Sequence, residues 1–327
     1  MFKSILITGA AGFIGSNFVK YYAEKYPETE IIVVDKLTYA GNLISIQDLL
    51  DSNRIKFYQI DIADLNALSI VFKENKIDAV INFAAESHVD NSIVDSSVFI
   101  QSNIVGTHNL LVLAQNHGIS RYHQVSTDEV YGDLGLGSKD FMTENTPLAP
   151  NCPYAATKTS ADLLVRSFHE TYGLNATISR CSNNYGPYQY PEKLIPLFFS
   201  LANQEKKLPI YGDGIYVRDW LHVTDHVSAL DVILNKAIAG SVYNIGGNFE
   251  RTTLEIAQLI LDYLGKDSAL IEYVENRKAH DRRYAIDSTK IKNDLGWEPK
   301  VPFKDGILST FNWYNSNQNW VNHVLNN

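Results

Sequence analysis

Short apolar runs alternate with amphipathic segments through the first half of the chain. KSILITG, IIVVD, IKFYQID and DAVINFAA are short apolar runs with the length of strands. Between them the spacing predicts helices from about Gly12, near residues 43–50, and before DAVINFAA. That rhythm predicts a parallel sheet covered by helices on both faces. A long helical pattern over about 96–117 and the strand YHQVST continue it. After Pro153 a helix is expected to about Tyr172, and NATISR adds a strand. From Cys181 the texture shifts to Pro, Tyr, Asn and Gly, with short strands in LPIYG and SVYNIGG and a helix over about 253–264. The expected fold is α/β, with a doubly wound parallel sheet on residues 1–180, joined by 223–236, and a smaller C-terminal α/β substrate-binding domain on 181–327.

With 45% hydrophobic residues among 327, the chain can bury a sizeable core. Its formal net charge of −9, without a dense Lys/Arg run, gives nucleic acid no electrostatic footprint. An anionic ligand must meet local positive charge. The opening MFKSILITGAAGFIG lacks the layout of a signal peptide, and no apolar run approaches the roughly 18 residues of a membrane span. A cytoplasmic protein without a membrane partner is expected. Cys152 and Cys181 are too few and too far apart for a disulfide framework, so they are expected as buried thiols in a reducing compartment.

After the first strand comes TGAAGFIG, with Gly9, Gly12 and Gly15 opening a helix that begins at Phe13 and Ile14. Backbone without Cβ atoms can approach a pyrophosphate, and the helix N-terminus favours its charge, so the sheet is expected to be of the Rossmann type. Asp35 ends the second strand, where a carboxylate accepts hydrogen bonds from ribose hydroxyls and repels a 2′-phosphate. NAD is therefore expected rather than NADP, with Lys36 and Thr38 beside it. Asp61, before Ile62, is placed either to meet the adenine edge or to cap the next helix.

Tyr154 and Lys158 form YxxxK at the start of the helix after Pro153. Spacing of i, i+4 puts a phenol and an ammonium on one face, which, aided by a positive nicotinamide, can lower the phenol pKa and make it a general base for alcohol oxidation. Tyr21 and Lys25 match the same pattern but lie on the first helix, away from that site, and are expected at the surface.

Together the glycine motif, Asp35, FAAESHVD at 83–90 and YAATK resemble the extended short-chain dehydrogenase/reductase superfamily over nearly the whole chain. STDEVYG at 126–132 narrows the resemblance to the dTDP-glucose 4,6-dehydratase family. DKLTYAGN from Asp35, NNYGPYQYPEKLIP from Asn183, RDWLHV from Arg218 and HDRRYAID from His280 support this. The resemblance implies a homodimer, with residues 96–117 and the YxxxK helix in a four-helix contact. Ala84, Ala85, Ser87 and Ser102 are implied around the cofactor, the last two around its nicotinamide half.

Dehydration of a 4-keto sugar across C5 and C6 requires removal of the C5 proton and protonation of the departing 6-hydroxyl. Asp128 and Glu129 diverge as they leave a strand and can address neighbouring carbons. Glu129 is assigned as base, a protonated Asp128 as acid, and Thr127 as hydrogen-bond partner of the C4 oxygen beside Tyr154. By themselves the two acids would read as a solvated loop.

For the nucleoside diphosphate (dTDP-glucose, by resemblance), Lys193, Arg218 and Arg283 are the candidate cations and Asn183 and Asn244 neutral donors. Pro209, Ile210 and Tyr211 are candidates to sandwich a pyrimidine, although an aromatic here could equally be core. Ser87, His88, Leu194, Asp281 and Tyr284 complete the implied substrate contacts. His88 and His222 lack metal-ligand spacing, so no metal is expected. Cys152 stands where the family commonly has a serine, and Ala279 where it has glycine; neither replaces a chemical group. A nucleotide-sugar 4-epimerase shares Tyr154 and Lys158 but has no task for the acid pair. A non-catalytic dinucleotide sensor has no need of any of the four.

Overall fold

The computed structural model describes residues 2–326. In chain order the strands are β1 (Ser4–Thr8), β2 (Glu30–Asp35), β3 (Ile55–Gln59), β4 (Ala79–Asn82), β5 (Arg121–Thr127) and β6 (Ala176–Cys181). There follow β7 (Asn183–Tyr185), β8 (Leu208–Tyr211), β9 (Val217–His222), β10 (Val242–Ile245), β11 (Glu250–Thr252) and β12 (Ile271–Val274). Seven make one sheet in the order β3-β2-β1-β4-β5-β6-β10, parallel at every pairing. Strand order reverses between β1 and β4, which opens a crevice at their C-terminal ends, the Rossmann arrangement. β1, β4, β5 and β6 are buried along their whole length, although β5 and β6 carry many polar side chains inside, among them His123, Gln124 and Arg180.

Helix Phe13–Lys25 packs on one face of this sheet, where Phe18, Val19 and Tyr22 share a core with Val227, Leu230, Ile233 and Leu234 of helix Val223–Lys236. β10 was expected in the second domain. Instead Val242–Ile245 pair with Ile178–Cys181 and occupy the sheet's edge, so the chain crosses between the two parts more than once. The second part holds the small sheet β11-β9-β7 and the pair β12-β8, around a core that includes Phe198, Phe199, Trp220, Ile256, Ile260 and Phe311.

Two helical expectations resolve differently. Residues 43–50 form a 3₁₀ turn (Leu43–Ser45) followed by the short helix Gln47–Asp51. The long pattern at 96–117 is helix Ser97–Phe99, a π-helical stretch Ile100–Val105, then helix Gly106–Asn116. In the wide turns, buried Asn103 donates to the Glu86 carbonyl (3.0 Å) and Thr157 Oγ1 (2.9 Å) and accepts from the Glu86 amide (2.9 Å). Apolar periodicity does not report such a local change of pitch.

The Tyr21/Lys25 pair does more than face solvent. Lys25 Nζ donates to Tyr21 Oη (2.8 Å) and to Asp231 (2.7 Å) on helix Val223–Lys236, and the Tyr26 hydroxyl donates to the same carboxylate (2.9 Å). It ties the first helix to the returning one. Among the described residues, no helix is long and apolar enough to cross a membrane.

Candidate active site

A cleft of about 1550 Å³, counting its open mouth, runs from the β1–β4 crevice to the end of β5 and on to residues 182–193. Gly9, Gly12, Phe13, Ile14 and Gly15 line its floor. A Cβ on Gly15 would stand 2.2 Å from the Gly9 carbonyl oxygen; one on Gly9, at φ +66°, would stand 2.5 Å from the Ala84 amide. The loop is folded back on itself and on β4, and only glycine permits that approach. Asp35 accepts from the amides of Ala11 (2.9 Å) and Leu37 (2.8 Å). Burial raises its pKa, and those amides and Lys36 oppose the rise. These residues fit a dinucleotide.

Lys36, Thr38, Asp61, Ile62, Ala84, Ala85, Ser87, Ser102 and Asn183 line the same cleft. Lys36 Nζ donates to Ser102 Oγ (2.8 Å) and lies 3.2 Å from Glu86 and 3.7 Å from Asp61. Asp61 accepts from the Ala63 amide (2.9 Å), while the cap of helix Leu65–Glu74 is Asp64. Of the two sequence alternatives for Asp61, the helix cap is therefore eliminated.

At the end of β5 the chain enters a 3₁₀ turn, Asp128–Tyr131, capped by Thr127 Oγ1, which accepts from the Glu129 amide (3.3 Å). Thr127, Asp128, Glu129, Tyr154 and Lys158 all line the cleft. Asp128 is 2% exposed. Among the described residues, its Oδ2 and the Glu129 Oε2 have no hydrogen-bond partner. Burial, and then the Glu129 charge, hold the Asp128 pKa well above the usual carboxylate range, against Arg218. Glu129 is raised by burial too, but three cations, Arg277, Arg218 and Lys193, pull it back. Adjacent carboxyls thus sit in unlike surroundings.

Helix Pro153–Tyr172 starts with proline in its first turn and Cys152 as cap, whose Sγ accepts from the Ala155 amide (3.5 Å). It carries Tyr154 and Lys158 to the cleft. Burial and the Glu129 charge keep the Tyr154 phenol well above its ordinary value, with Thr127 opposing. Lys158 Nζ donates to the Val125 carbonyl (2.7 Å). Burial lowers its pKa, and Asp162, one turn on, opposes the fall. The raised Tyr154 phenol is opposite to the lowering expected of Lys158 with a positive nicotinamide, because burial and the Glu129 charge act on the phenol here. Asp162 is itself fixed by a buried pair with Arg180 Nε (2.9 Å). Both cysteines are free and buried.

At the far end the structure gathers some candidates and separates others. Lys193 lines the cleft and donates to the Ser87 carbonyl (3.1 Å). His88 caps helix Val89–Val94 and lies 3.8 Å from Glu192. Arg218 is buried over the Tyr284 ring (4.4 Å) and donates to the Asp281 carbonyl (3.0 Å). The Asp281 carboxylate accepts from Tyr284 and from Asn151 (2.7 Å). The Tyr211 hydroxyl donates to Asp90 (3.3 Å), and its ring meets His280 edge-on. Leu194 begins helix Leu194–Asn203 and packs against the second core.

Three expectations are corrected. Alternation along β8 turns Ile210 inward to zero exposure while Pro209 and Tyr211 face out, so Ile210 cannot touch a base. Asn244 belongs to β10; its Oδ1 accepts from Tyr131 (2.8 Å) and its Nδ2 donates to the Met142 carbonyl (2.9 Å), away from the cleft. The Arg283 guanidinium makes a two-pronged pair with Glu250 (2.7 and 2.9 Å) and is not available to a diphosphate.

Sequence reasoning passed over Arg277, 3.7 Å from Asp90 and first among the cations acting on Glu129. It stands three residues before the matched HDRRYAID run, in an irregular segment with no periodicity to mark it. Glu86, Gln189, Tyr190 and Glu192 also line the cleft and were not singled out. His222 caps helix Val223–Lys236 through Nδ1. Among the described residues no three His, Cys, Asp or Glu side chains gather as a metal site.

Residues 6–310 match the family model described as GDP-mannose 4,6 dehydratase. The chain is 46% identical to the dTDP-glucose 4,6-dehydratase of Neisseria meningitidis serogroup B, over 99% of this chain and 96% of that one. The crystal structure of DesIV, the dTDP-glucose 4,6-dehydratase of Streptomyces venezuelae, with NAD and TYD bound, superposes with a TM-score of 0.93 at 45% identity, covering 98% of this chain and 99% of that one. A UDP-glucose 4-epimerase from Thermotoga maritima shares the fold at TM-score 0.89 with 30% identity, over 96% of this chain and 99% of that one.

Proposed function

The chain belongs to the dTDP-glucose 4,6-dehydratase family, and from that premise we propose how its own residues convert dTDP-glucose to dTDP-4-keto-6-deoxyglucose. Bound NAD, held over the Gly9–Gly15 loop and by Asp35, supplies a hydride acceptor for C4, a hydride donor for C6 and a positive ring charge.

Tyr154 takes the proton from the C4 hydroxyl, with Thr127 hydrogen-bonding the same oxygen. Lys158, one helical turn on and fixed on the Val125 carbonyl, is assigned to support the phenol together with the positive nicotinamide. Once C4 is a ketone the C5 hydrogen is acidic, and Glu129 removes it. Asp128, which burial keeps protonated, delivers its proton to O6 as water leaves. Glu129 then returns its proton to C5, and exchange with water lets Tyr154 give up a proton and Asp128 regain one for the next turn.

The observation carrying this reading is the pair of consecutive carboxyls lining the cleft with Tyr154, Asp128 buried and pushed towards its acid form, Glu129 partly exposed and offset by three cations. An epimerase has no task for them. Lys193, Arg218 and Arg277 are proposed to face the diphosphate, and Pro209 and Tyr211 the pyrimidine. We also assign a cytoplasmic homodimer. Exposed Val98, Ile100 and Leu163 on residues 97–116 and 153–172 support the helix pairing, and the free thiols fit a reducing compartment.

The test incubates the holoprotein with dTDP-glucose and follows the alkali-absorbing 4-keto-6-deoxy product. Glu129→Gln should abolish elimination while still reducing part of the bound NAD. Wild-type turnover in that variant, or a galactose isomer from the unaltered protein, refutes the assignment.

A further inference from the structure

The cofactor cleft has two walls from distant parts of the chain. One is the segment after β2, from which Thr38, Ala40 and Gly41 line the cleft; the other is the segment before helix Leu194–Asn203, from which Tyr190, Glu192 and Lys193 line it. Between these residues the walls meet. The Tyr39 hydroxyl donates to Glu192 Oε1 (3.2 Å) and accepts from Asn91 Nδ2 (3.4 Å), and its ring stands edge-on to Tyr190 with centroids 5.4 Å apart. His88 and Lys193 each lie 3.8 Å from the Glu192 carboxylate, which is 20% exposed.

Both ends are fastened to their own side. On the Tyr39 side, Asp35 holds the Leu37 amide, at a left-handed φ of 59°, and the Asn42 amide donates to the Ala11 carbonyl (2.9 Å). On the Glu192 side, Gln189 Nε2 donates to the Asn184 carbonyl (2.9 Å), and the Gln189 carbonyl accepts from Tyr314 (2.6 Å). A further tie, Asn17 Nδ2 to the Pro187 carbonyl (3.0 Å), joins the first helix to the second wall. Burial and the Glu192 charge hold the Tyr39 phenol above its ordinary pKa, so it stays a donor.

We propose that Tyr39 and Glu192 are positioning residues that clasp the two walls over the bound dinucleotide and set how long it stays. The inference rests on the dehydratase reading, which gives the clasp its purpose. A hydride taken from C4 must return to C6 of the same sugar, so a dinucleotide that leaves between the two transfers strands an oxidised sugar on a protein unable to finish. Neither residue touches the reacting carbons. Their effect is on retention.

Holoprotein carrying NAD is freed of excess nucleotide. NAD release into a scavenging enzyme is then timed for the unaltered chain, Tyr39→Phe, Glu192→Ala and the double variant. Tyr39→Phe keeps the ring against Tyr190 and loses only the hydroxyl. Each single change should speed release roughly five- to tenfold, the scale of one hydrogen bond to a charged group at a partly exposed site. The double variant should be no faster than the faster single one, because one contact has been removed twice. Without added NAD the variants should complete fewer turnovers before falling silent, and added NAD should restore them. Unchanged release in both single variants, or effects that simply multiply in the double, overturns the clasp. If the unaltered holoprotein retains NAD but makes no 4-keto product, the dehydratase reading fails, and the clasp loses its catalytic purpose with it.

Discussion

Replacing Asp128 by asparagine removes one proton donor and almost nothing else. The side chain is 2% exposed, its Oδ2 has no partner among the described residues, and its Oδ1 accepts from Thr127 Oγ1 at 3.3 Å. Burial and the Glu129 charge favour the neutral carboxyl, with which an amide is nearly isosteric, so the thermal midpoint should scarcely move. Chemistry should suffer instead. A positioned general acid contributes about 10²–10⁴ in rate, or about 3–5 kcal/mol of barrier, and here it serves the loss of O6 alone. Substrate oxidation at C4 does not need it. Mixing the variant with dTDP-glucose should therefore give the near-ultraviolet absorbance of reduced nicotinamide while the 4-keto-6-deoxy product forms about 10²–10⁴ more slowly. Product at the wild-type rate would refute the assigned acid. So would a loss of C4 oxidation in step with the loss of product, because Asp128 would then be shaping the site.

Two further outcomes concern stability. His123, held between Thr177 and Ser179, and His226, on Asn184, are buried and pushed down to about 3 by desolvation. The unfolded chain takes up protons near pH 6.5, so stability should be intact above that value and fall as pH drops towards 3, by up to about 1.4 kcal/mol per pH unit for each histidine. Urea unfolding at neutral and mildly acidic pH should show that slope, and it should be shallower in His226→Asn; an equal slope in both proteins counts against the assignment. Ala279 stands at φ 49°, in the left-handed region. Ala279→Gly should stabilise by roughly 1 kcal/mol in the same assay, and a loss of stability would show that the methyl group packs usefully.

The residues most readable in advance were those whose chemistry and local geometry coincide. Gly9 to Gly15 had to follow a strand and open a helix, and Asp35 had to end the next strand. YxxxK announced itself through helical spacing. Contacts that depend on how distant segments meet were not readable. Asn244 looked like a free donor because nothing local shows that β10 joins the large sheet and gives its amide to Tyr131 and Met142. Arg283 looked like a phosphate ligand because Glu250, its partner, is remote in sequence. Ile210 and Tyr211 differ only in the side of β8 that each occupies, and the register of so short a strand is set by its neighbour. Arg277 escaped for the opposite reason: a lone cation in an irregular segment carries no pattern, and its meaning comes from Asp90 and Glu129 opposite it.

The position of β10 bears on how the protein is made. A ribosome that has released residues 1–180 has delivered six strands of the sheet but left β6 as a bare edge, its amides and carbonyls open to any other nascent chain. That edge is sealed only when Val242–Ile245 emerge, after the intervening segment that includes β7, β8 and β9. Completion of the sheet and the arrival of much of its neighbour are thus one event, and the interval before it is when the growing chain has most need of a chaperone.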